Sequence, residues 1–203
     1  MSKIGKVAAA TTAAALIERF GVGPIVFTGV AGGLKKGVNA GDVVVASSFL
    51  QHDLDVSPPY PQFEVPFYGR ARFLTDSAMS HQLRVAAHSA LADSAASSSF
   101  ADSNVHTGLI ASGDRFMGAA SGSLALQTAL LAAGQDALAV EMEMEMEGEA
   151  VAQVWRDYSV PFAAVRTISD RADDGADVAF QDFVDMVAGD YACRILRHFL
   201  MPL

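Results

Sequence analysis

The chain contains 203 residues, of which 51% are hydrophobic and 18% are charged, a composition typical of a globular protein rather than a disordered one. Its formal net charge of -9 argues against a nucleic-acid-binding surface, which requires clustered lysine and arginine side chains. The single cysteine, Cys193, excludes an internal disulfide, and its place in a helical pattern predicts a buried structural thiol.

Strands and helices are predicted to alternate along the chain. The first 20 residues are basic at one end and rich in alanine, but polar residues such as Glu18 and Arg19 interrupt them. This favours an amphipathic helix of a cytoplasmic protein over a signal peptide. No apolar run approaches the length of a membrane span. The predicted elements are, in chain order, a helix over 5–19, strands over 24–30 and 42–48, a loop over 49–75, a helix over 76–93, a strand over 105–112, a helix over 122–133, a strand over 137–141, a helix over 148–157, a strand over 161–169 and a helix over 178–200. Such alternation predicts a single α/β domain over residues 1–203, with a mixed, mostly parallel central sheet flanked by helices.

Ligands of such sheets bind beyond the carboxyl ends of the strands, so the residues that follow each strand are the first candidates. The glycine-rich stretch TGVAGGL (28–34) follows the first strand. It matches no phosphate-binding motif, and a tight turn is the favoured interpretation. His52, Asp53 and Asp55 follow the second strand, but without a further ligand at a diagnostic spacing they indicate a polar loop. The sequence therefore predicts no metal and no cofactor.

Two later strands lead into aromatic or charged residues. Phe116 and Met117 follow the strand over 105–112, and an aromatic ring there can stack on a flat ligand, although core packing is the simpler interpretation. Arg166 lies near the end of the last strand, with Asp170 and Asp173 just beyond it. A helix N-cap would explain one of these aspartates without any function. Together these side chains are predicted to lie at one edge of one sheet.

The stretch LAVEMEMEMEGEAVAQV (138–154) alternates glutamate with methionine or glycine. Its glutamates are Glu141, Glu143, Glu145, Glu147 and Glu149. Strict alternation is typical of a strand with one solvated face, whereas a helix distributes such residues around its circumference. Because the run joins a predicted strand to a predicted helix, both a solvated charge run and a chemical role for one carboxylate stay open.

The motifs IGKVAAA, TGVAGGLKKGVNAGDVVVAS, HDLDV, SGDRF, MEGEAVAQV and VPFAAVRTISDRAD occur in this order. Read together, they closely resemble bacterial 5'-methylthioadenosine/S-adenosylhomocysteine nucleosidases of the nucleoside phosphorylase superfamily, over nearly the whole chain. The resemblance implies a nucleoside phosphorylase-like fold. It also implies hydrolysis of the N-glycosidic bond of methylthioadenosine or S-adenosylhomocysteine, as in methionine salvage, to adenine and a 5'-thioribose.

The resemblance also implies roles for residues at the matching positions. Asp170 is the acid that protonates N7 of the leaving purine, because a purine anion leaves poorly. Ser169 lies beside it, and Arg166 helps to order the water side of the pocket. Phe116 is expected to stack on adenine, and backbone groups of Met117 to bind the adenine edge.

A Met–Glu pair of the family holds the ribose, and a carboxylate suits that role because it accepts two hydrogen bonds from adjacent hydroxyls. Counting backward from the last strand places the pair at Met146 and Glu147, whereas counting forward from ALAV places it at Met142 and Glu143. We favour Glu147, since no gap separates it from Asp170. The repeated EM is then a short local duplication.

Three further expectations follow from the resemblance. Val30 occupies a position where family members often carry Ser or Thr, so one polar contact with the substrate is lost. The loop over 49–75, which contains Val56, is expected to cross to a neighbouring subunit and line its 5'-alkylthio pocket, which predicts a homodimer. The family begins with a strand carrying G-x-M-x-x-E, whose glutamate activates the water. In the family, further strands follow before the helix IGKVAAA, at which this sequence starts. The sequence offers no substitute for the glutamate, so we expect a weak nucleosidase that is N-terminally truncated relative to the family.

Two alternatives belong to other functional classes. A purine nucleoside phosphorylase uses phosphate instead of water and places a phosphate-binding Ser where this chain has GKVAAA. Ala8 and its neighbours provide no hydroxyl there, which favours hydrolysis. The other alternative is a catalytically impaired remnant that binds adenine nucleosides or only dimerises.

Overall fold

The computed structural model describes residues 4–94, 103–114, 120–141, 147–170 and 189–201, and the fold is given for these residues. They form helices and strands in the alternating order that the sequence predicts. The elements are, in chain order, α1 (Lys6–Phe20), β1 (Ile25–Gly33), β2 (Val43–Gln51), β3 (Arg72–Leu74), α2 (Ser77–Ser94), β4 (Val105–Ser112), α3 (Ala120–Ala132), β5 (Ala137–Val140), α4 (Gly148–Tyr158), β6 (Phe162–Asp170) and α5 (Gly189–Leu200).

The strands form one sheet that closes into a ring. β2 pairs in parallel with β4, β4 with β5, and β1 with β6. The ring closes through two antiparallel contacts, β5 with β1 and β6 with β2, and β3 pairs with β2 outside it. The parallel ladders are the long ones, so the predicted mixed, mostly parallel α/β sheet is confirmed.

Alternate residues of β2 face two different cores, which explains why this strand reads as a continuous apolar run. Val44 and Ala46 lie in a cluster covered by α1 and α4, in which Trp155 of α4 stacks on Phe162 with ring centroids 5.4 Å apart. Val43 and Val45 lie in a second cluster covered by α2 and α5. A third cluster packs α3 against β4 and β5. None of the described helices combines the length and apolar character needed to cross a membrane.

Three sequence-based expectations need correction or lie outside the described residues. The loop over 49–75 contains β3, because Phe73 is buried where the strand pairs with the end of β2. Cys193 is exposed rather than buried, since Tyr191 and Ile195, on the opposite side of α5, supply the buried face of that helix. Residues 178–188 of the last predicted helix are not among those described.

Candidate active site

The candidate site lies where the ends of β1, β5 and β6 meet. Gly32 of β1 pairs on one side with Asp170 of β6 and on the other with Val140 of β5. Two strand spacings of about 4.8 Å therefore separate Asp170 from the end of β5, a span of about 10 Å. The sequence predicted that the site lies at one edge of a parallel sheet. Instead, β1 and β5 run antiparallel and meet at their carboxyl ends, and we call this meeting of strand ends the crossing.

A β-bulge at Ser169 ends the ladder between β1 and β6. Ala31 pairs with Ile168 and Gly32 pairs with Asp170, which leaves Ser169 as the extra residue. Bulges of this kind re-aim side chains next to active sites. The Oγ atom of Ser169 lies 2.5 Å from Oδ2 of Asp170 and 3.4 Å from the carbonyl oxygen of Ala31. Asp170 itself is 4% exposed.

Arg166 and Glu141 form a fully buried ion pair behind this crossing. Nε and Nη2 of Arg166 donate to Oε1 of Glu141 at 3.0 and 2.6 Å. Nη1 donates to the carbonyl oxygens of Val165 and Phe27, at 3.2 and 3.4 Å, and the guanidinium lies 4.3 Å from the centre of the Phe27 ring. Buried charges require such complete hydrogen bonding to offset their loss of hydration.

Glu141 also fixes the start of α4. Its Oε2 accepts a hydrogen bond of 2.8 Å from the N–H of Gly148, the first residue of the helix. This satisfies one of the donors that a helix leaves unpaired at its N-terminus, and it places a negative charge at the positive end of the helix dipole. The pair with Arg166 thus connects β6 to α4 through one carboxylate.

Glu147, the residue before α4, is also buried, with 3% of its surface exposed. Its Oε1 accepts a hydrogen bond of 2.7 Å from the N–H of Gly5, at the start of α1. Glu149, in the first turn of α4, is fully buried as well. Of the alternating glutamates, the three that the structure describes are therefore buried rather than part of a solvated charge run.

Arg166, Ser169 and Asp170, which the sequence predicted, all lie on β6, and Glu141 links Arg166 to Gly148, the residue after Glu147. Val30 is buried in β1, paired with Thr167, and Val56 is half-buried in the loop after β2. Seven residues considered from the sequence lie outside the described residues, so what was predicted for them stays a prediction: Phe116, Met117, Met142, Glu143, Glu145, Met146 and Asp173.

The sequence reasoning missed Glu141 as the partner of Arg166 and Lys6 as the partner of Asp53. Nζ of Lys6 lies 3.1 Å from Oδ2 of Asp53, so the polar loop after β2 is tied to α1. One signal for Glu141 was available, since it follows a strand directly, as the other candidates do. Within the described parts of the chain, no cluster of three or more His, Cys, Asp or Glu side chains is arranged to hold a metal ion.

The chain is similar to known proteins over most of its length. The model of the phosphorylase superfamily matches residues 1–201. A 5'-methylthioadenosine/S-adenosylhomocysteine nucleosidase of Geobacillus sp. (strain WCH70) is 34% identical over 196 residues, which are 96% of this chain and 76% of the relative. An aminodeoxyfutalosine nucleosidase of Helicobacter pylori (strain J99 / ATCC 700824) is 34% identical over 192 residues, covering 92% of this chain and 73% of that one.

A solved structure gives the same result for the fold. The 5'-methylthioadenosine/S-adenosylhomocysteine nucleosidase of Neisseria meningitidis, in complex with methylthio-immucillin-A, superposes with a TM-score of 0.83 at 33% identity. The match covers 100% of this chain and 80% of that one. This chain therefore belongs to the 5'-methylthioadenosine/S-adenosylhomocysteine nucleosidase family of the phosphorylase superfamily.

Proposed function

We propose that this protein hydrolyses the N-glycosidic bond of 5'-methylthioadenosine and S-adenosylhomocysteine, releasing adenine and a 5'-thioribose. The observation that carries the proposal is the buried Ser169–Asp170 pair at the end of β6, in a chain of this family. The alternative purine nucleoside phosphorylase reaction would use phosphate in place of water, and the assay below separates the two.

Asp170 is the proposed general acid. The bond to the sugar breaks more easily when the leaving adenine is protonated, because a neutral purine leaves better than its anion. The hydroxyl of Ser169 fits both protonation states of Asp170. It donates to Oδ2 when the carboxylate is ionised. When Asp170 is protonated, it accepts from Oδ2–H and donates to the carbonyl of Ala31.

Glu147 is the proposed ribose-binding residue. Its carboxylate is buried, and the hydrogen bond from Gly5 fixes its direction. A fixed carboxylate can accept hydrogen bonds from two adjacent sugar hydroxyls. In the proposal the ribose therefore lies between the start of α1 and the end of β6.

Arg166 acts through Glu141 in this proposal. Its three guanidinium nitrogens all donate to acceptors among the described residues, and its side chain is fully buried. Arg166 thereby holds Glu141 against Gly148 and fixes the α4 N-terminus next to Glu147. This makes Arg166 a positioning residue, a narrower role than the water-ordering one that the resemblance implies.

Further parts of the proposal concern the surroundings of the reaction. We infer a homodimer in the cytoplasm, with an adenine nucleoside as the small-molecule partner and no nucleic acid, membrane or cofactor involved. The extent of the domain over residues 1–203 also stays a prediction. The names of the relatives given above suggest three nucleosides to compare as substrates: methylthioadenosine, S-adenosylhomocysteine and aminodeoxyfutalosine.

The test is release of adenine from each of these nucleosides, with and without inorganic phosphate, in wild type and Asp170→Asn. We expect release by the wild type without phosphate. The asparagine variant should turn over about 10²- to 10⁴-fold more slowly, because an amide cannot supply the proton. Its nucleoside dissociation constant should change little. Cleavage that requires phosphate would support a phosphorylase, and full activity of Asp170→Asn would remove Asp170 from the role.

A further inference from the structure

The start of α1 contacts carboxylates from two distant parts of the chain. The N–H of Gly5 donates to Glu147 at 2.7 Å, and the N–H of Lys6 donates to Oδ1 of Asp114 at 3.3 Å. The first N–H groups of a helix have no acceptor within the helix and lie at the positive end of its dipole. Gly5 has a φ of +96°, a conformation that favours glycine, so the chain enters α1 in a shape that few other residues would adopt.

The side chain of Lys6 joins the loops that follow β2 and β4. Nζ lies 3.2 and 3.1 Å from the two carboxylate oxygens of Asp53 and 3.4 Å from Oδ1 of Asp114. The N–H of Asp114 donates to Oδ2 of Asp53 at 2.9 Å, which completes the cluster. Only 13% of the Lys6 side chain is exposed, so its ion pairs are less screened by solvent than those at the surface.

The charge of Lys6 matters to its partners. Burial alone would raise the pKa of Asp53. The positive charge of Lys6 and hydrogen bonds from Lys6, Gln51 and the N–H of Asp114 outweigh burial and hold that pKa below its ordinary value. Removal of the ammonium would leave the carboxylates of Asp53 and Asp114 facing each other without a cation. The resulting repulsion would displace the Asp114 carboxylate, which accepts the hydrogen bond from the N–H of Lys6 at the start of α1.

We propose that Lys6 is a positioning residue of the nucleosidase: its ammonium, shared by Asp53 and Asp114, fixes the α1 N-terminus against Glu147 and so holds the ribose-binding carboxylate in place. This inference rests on the proposed function. It adds a residue that does not itself touch the substrate but determines where Glu147 lies. Movement of Gly5 would take away the hydrogen bond that directs the Glu147 carboxylate.

The test compares Lys6→Met with Lys35→Met and Lys6→Arg in steady-state hydrolysis of methylthioadenosine. Lys35 is the matched control, because it pairs with Asp136 on the surface and its side chain is 43% exposed. We expect Lys6→Met to raise KM about 10-fold with little change in kcat, as expected when a ground-state contact with the sugar is weakened. Lys35→Met should keep the wild-type KM. Lys6→Arg, which keeps the charge, should lie between wild type and Lys6→Met.

Thermal unfolding of each variant separates positioning from stability. A purely structural role predicts a lower Tm for Lys6→Met with an unchanged KM, and that result overturns the inference, as does an equal rise of KM in Lys35→Met. If Lys6→Met fails to fold, Asp53→Asn is measured in its place, and we expect it to raise KM about 10-fold as well. An unchanged KM in Asp53→Asn again overturns the inference. A wild-type chain that releases no adenine overturns the proposed function and this role with it. An active wild type with an unaffected Lys6→Met overturns the role alone.

Discussion

Glu149 has a buried carboxyl group whose pKa depends on its burial and on the charges around it. The side chain is fully buried in the first turn of α4, and Oε2 has no hydrogen-bond partner among the described residues. Burial raises the pKa of its carboxyl from 4.5 to about 7. A hydrogen bond from Gln153 and the charge of Lys6 oppose the rise, while the charges of Asp53 and Glu141 add to it. Glu149 is therefore protonated in the folded protein at pH values where the unfolded chain is ionised.

This difference predicts a pH-dependent stability. The raised pKa stabilises the folded state fully below pH 4.5, and the contribution is lost as the pH rises through about 7. The loss corresponds to about 3 kcal/mol of unfolding free energy. Glu149→Gln keeps the shape without an ionisable group. We expect it to unfold at higher urea concentration than wild type at pH 8.5 and at a similar concentration at pH 4, below the unfolded pKa.

Glu18→Gln is the control for this prediction, because Glu18 is exposed on α1. It should show the same pH dependence as the wild type. If Glu149→Gln also follows the wild type between the two pH values, the carboxyl of Glu149 is not the group responsible.

The choice between Glu147 and Glu143 is a second residue-scale prediction. Glu147 is buried next to the start of α1, so Glu147→Ala should remove a charge-assisted hydrogen bond to the ribose. Such a bond contributes about 1.5–3 kcal/mol, which corresponds to a 10-fold or greater rise in the nucleoside dissociation constant. Glu143→Ala should leave it almost unchanged. Titration calorimetry with methylthioadenosine measures both, and equal effects would place the repeat in another register.

Sequence alone proposed Asp170, Ser169 and Arg166 as site residues, because they follow or end a strand in a motif that resembles the family, and their roles stay predictions. It did not identify Glu141 as the partner of Arg166. The alternating run offered several glutamates of the same chemistry. The choice among them depends on the antiparallel meeting of β5 with β1, a contact between segments about a hundred residues apart.

At the scale of elements, the junction between β5 and α4 allows no added atoms at its first helical residue. A Cβ atom on Gly148 would lie 2.3 Å from Cε1 of Phe49 and 2.4 Å from Oε1 of Glu141, both of which are fully buried. Gly148→Ala should therefore displace the Phe49 ring or the Glu141–Arg166 pair. We expect a loss of about 1–3 kcal/mol in the free energy of unfolding, the usual cost of overpacking a core.

The matched control is Gly23→Ala, since nothing lies within 4 Å of a Cβ built on Gly23 and its φ is not positive. This variant should unfold at the wild-type denaturant concentration. A Gly148→Ala protein as stable as Gly23→Ala would mean that α4 moves away from β2 and β5 without cost.

Most elements could be predicted in type and order because each carries a local pattern, such as the apolar run of β2 or the alanines of α1. Two features had no local signal. β3 is only three residues long, within a proline-rich stretch, and it exists because it pairs with the end of β2. The antiparallel closure of the ring depends on pairings between strands distant in sequence, β1 with β5 and β2 with β6, whereas alternation of strands and helices indicates only parallel neighbours.

At the scale of the whole molecule, the loop between β2 and β3 carries an unusual surface. Phe67 is 95% exposed, and its ring forms a T-shaped contact with the ring of Tyr60, with centroids 6.1 Å apart. Phe63 and Phe67 have φ values of +67° and +68°, which residues other than glycine rarely adopt. Backbone of this kind is retained where the surroundings require it, and it often marks a functional segment.

We predict that this loop is part of the interface of a homodimer and that Phe67 packs against the second subunit. Phe67→Glu should then weaken dimerisation, because it places a charge in an apolar contact and leaves the fold of each subunit unchanged. Light scattering and sedimentation over micromolar concentrations should show a dimer for the wild type and a larger monomer fraction for this variant.

Phe20→Glu is the control for the dimer, since Phe20 is 74% exposed at the end of α1, away from the loop in sequence. It should associate as the wild type does. Because the loop is also expected to line the 5'-alkylthio pocket of the neighbour, Phe67→Glu should raise KM for methylthioadenosine as the monomer fraction increases, and a higher protein concentration should partly restore it. A wild type that remains monomeric at these concentrations, or a Phe67→Glu variant that dimerises fully, would show that Phe67 is exposed for another reason.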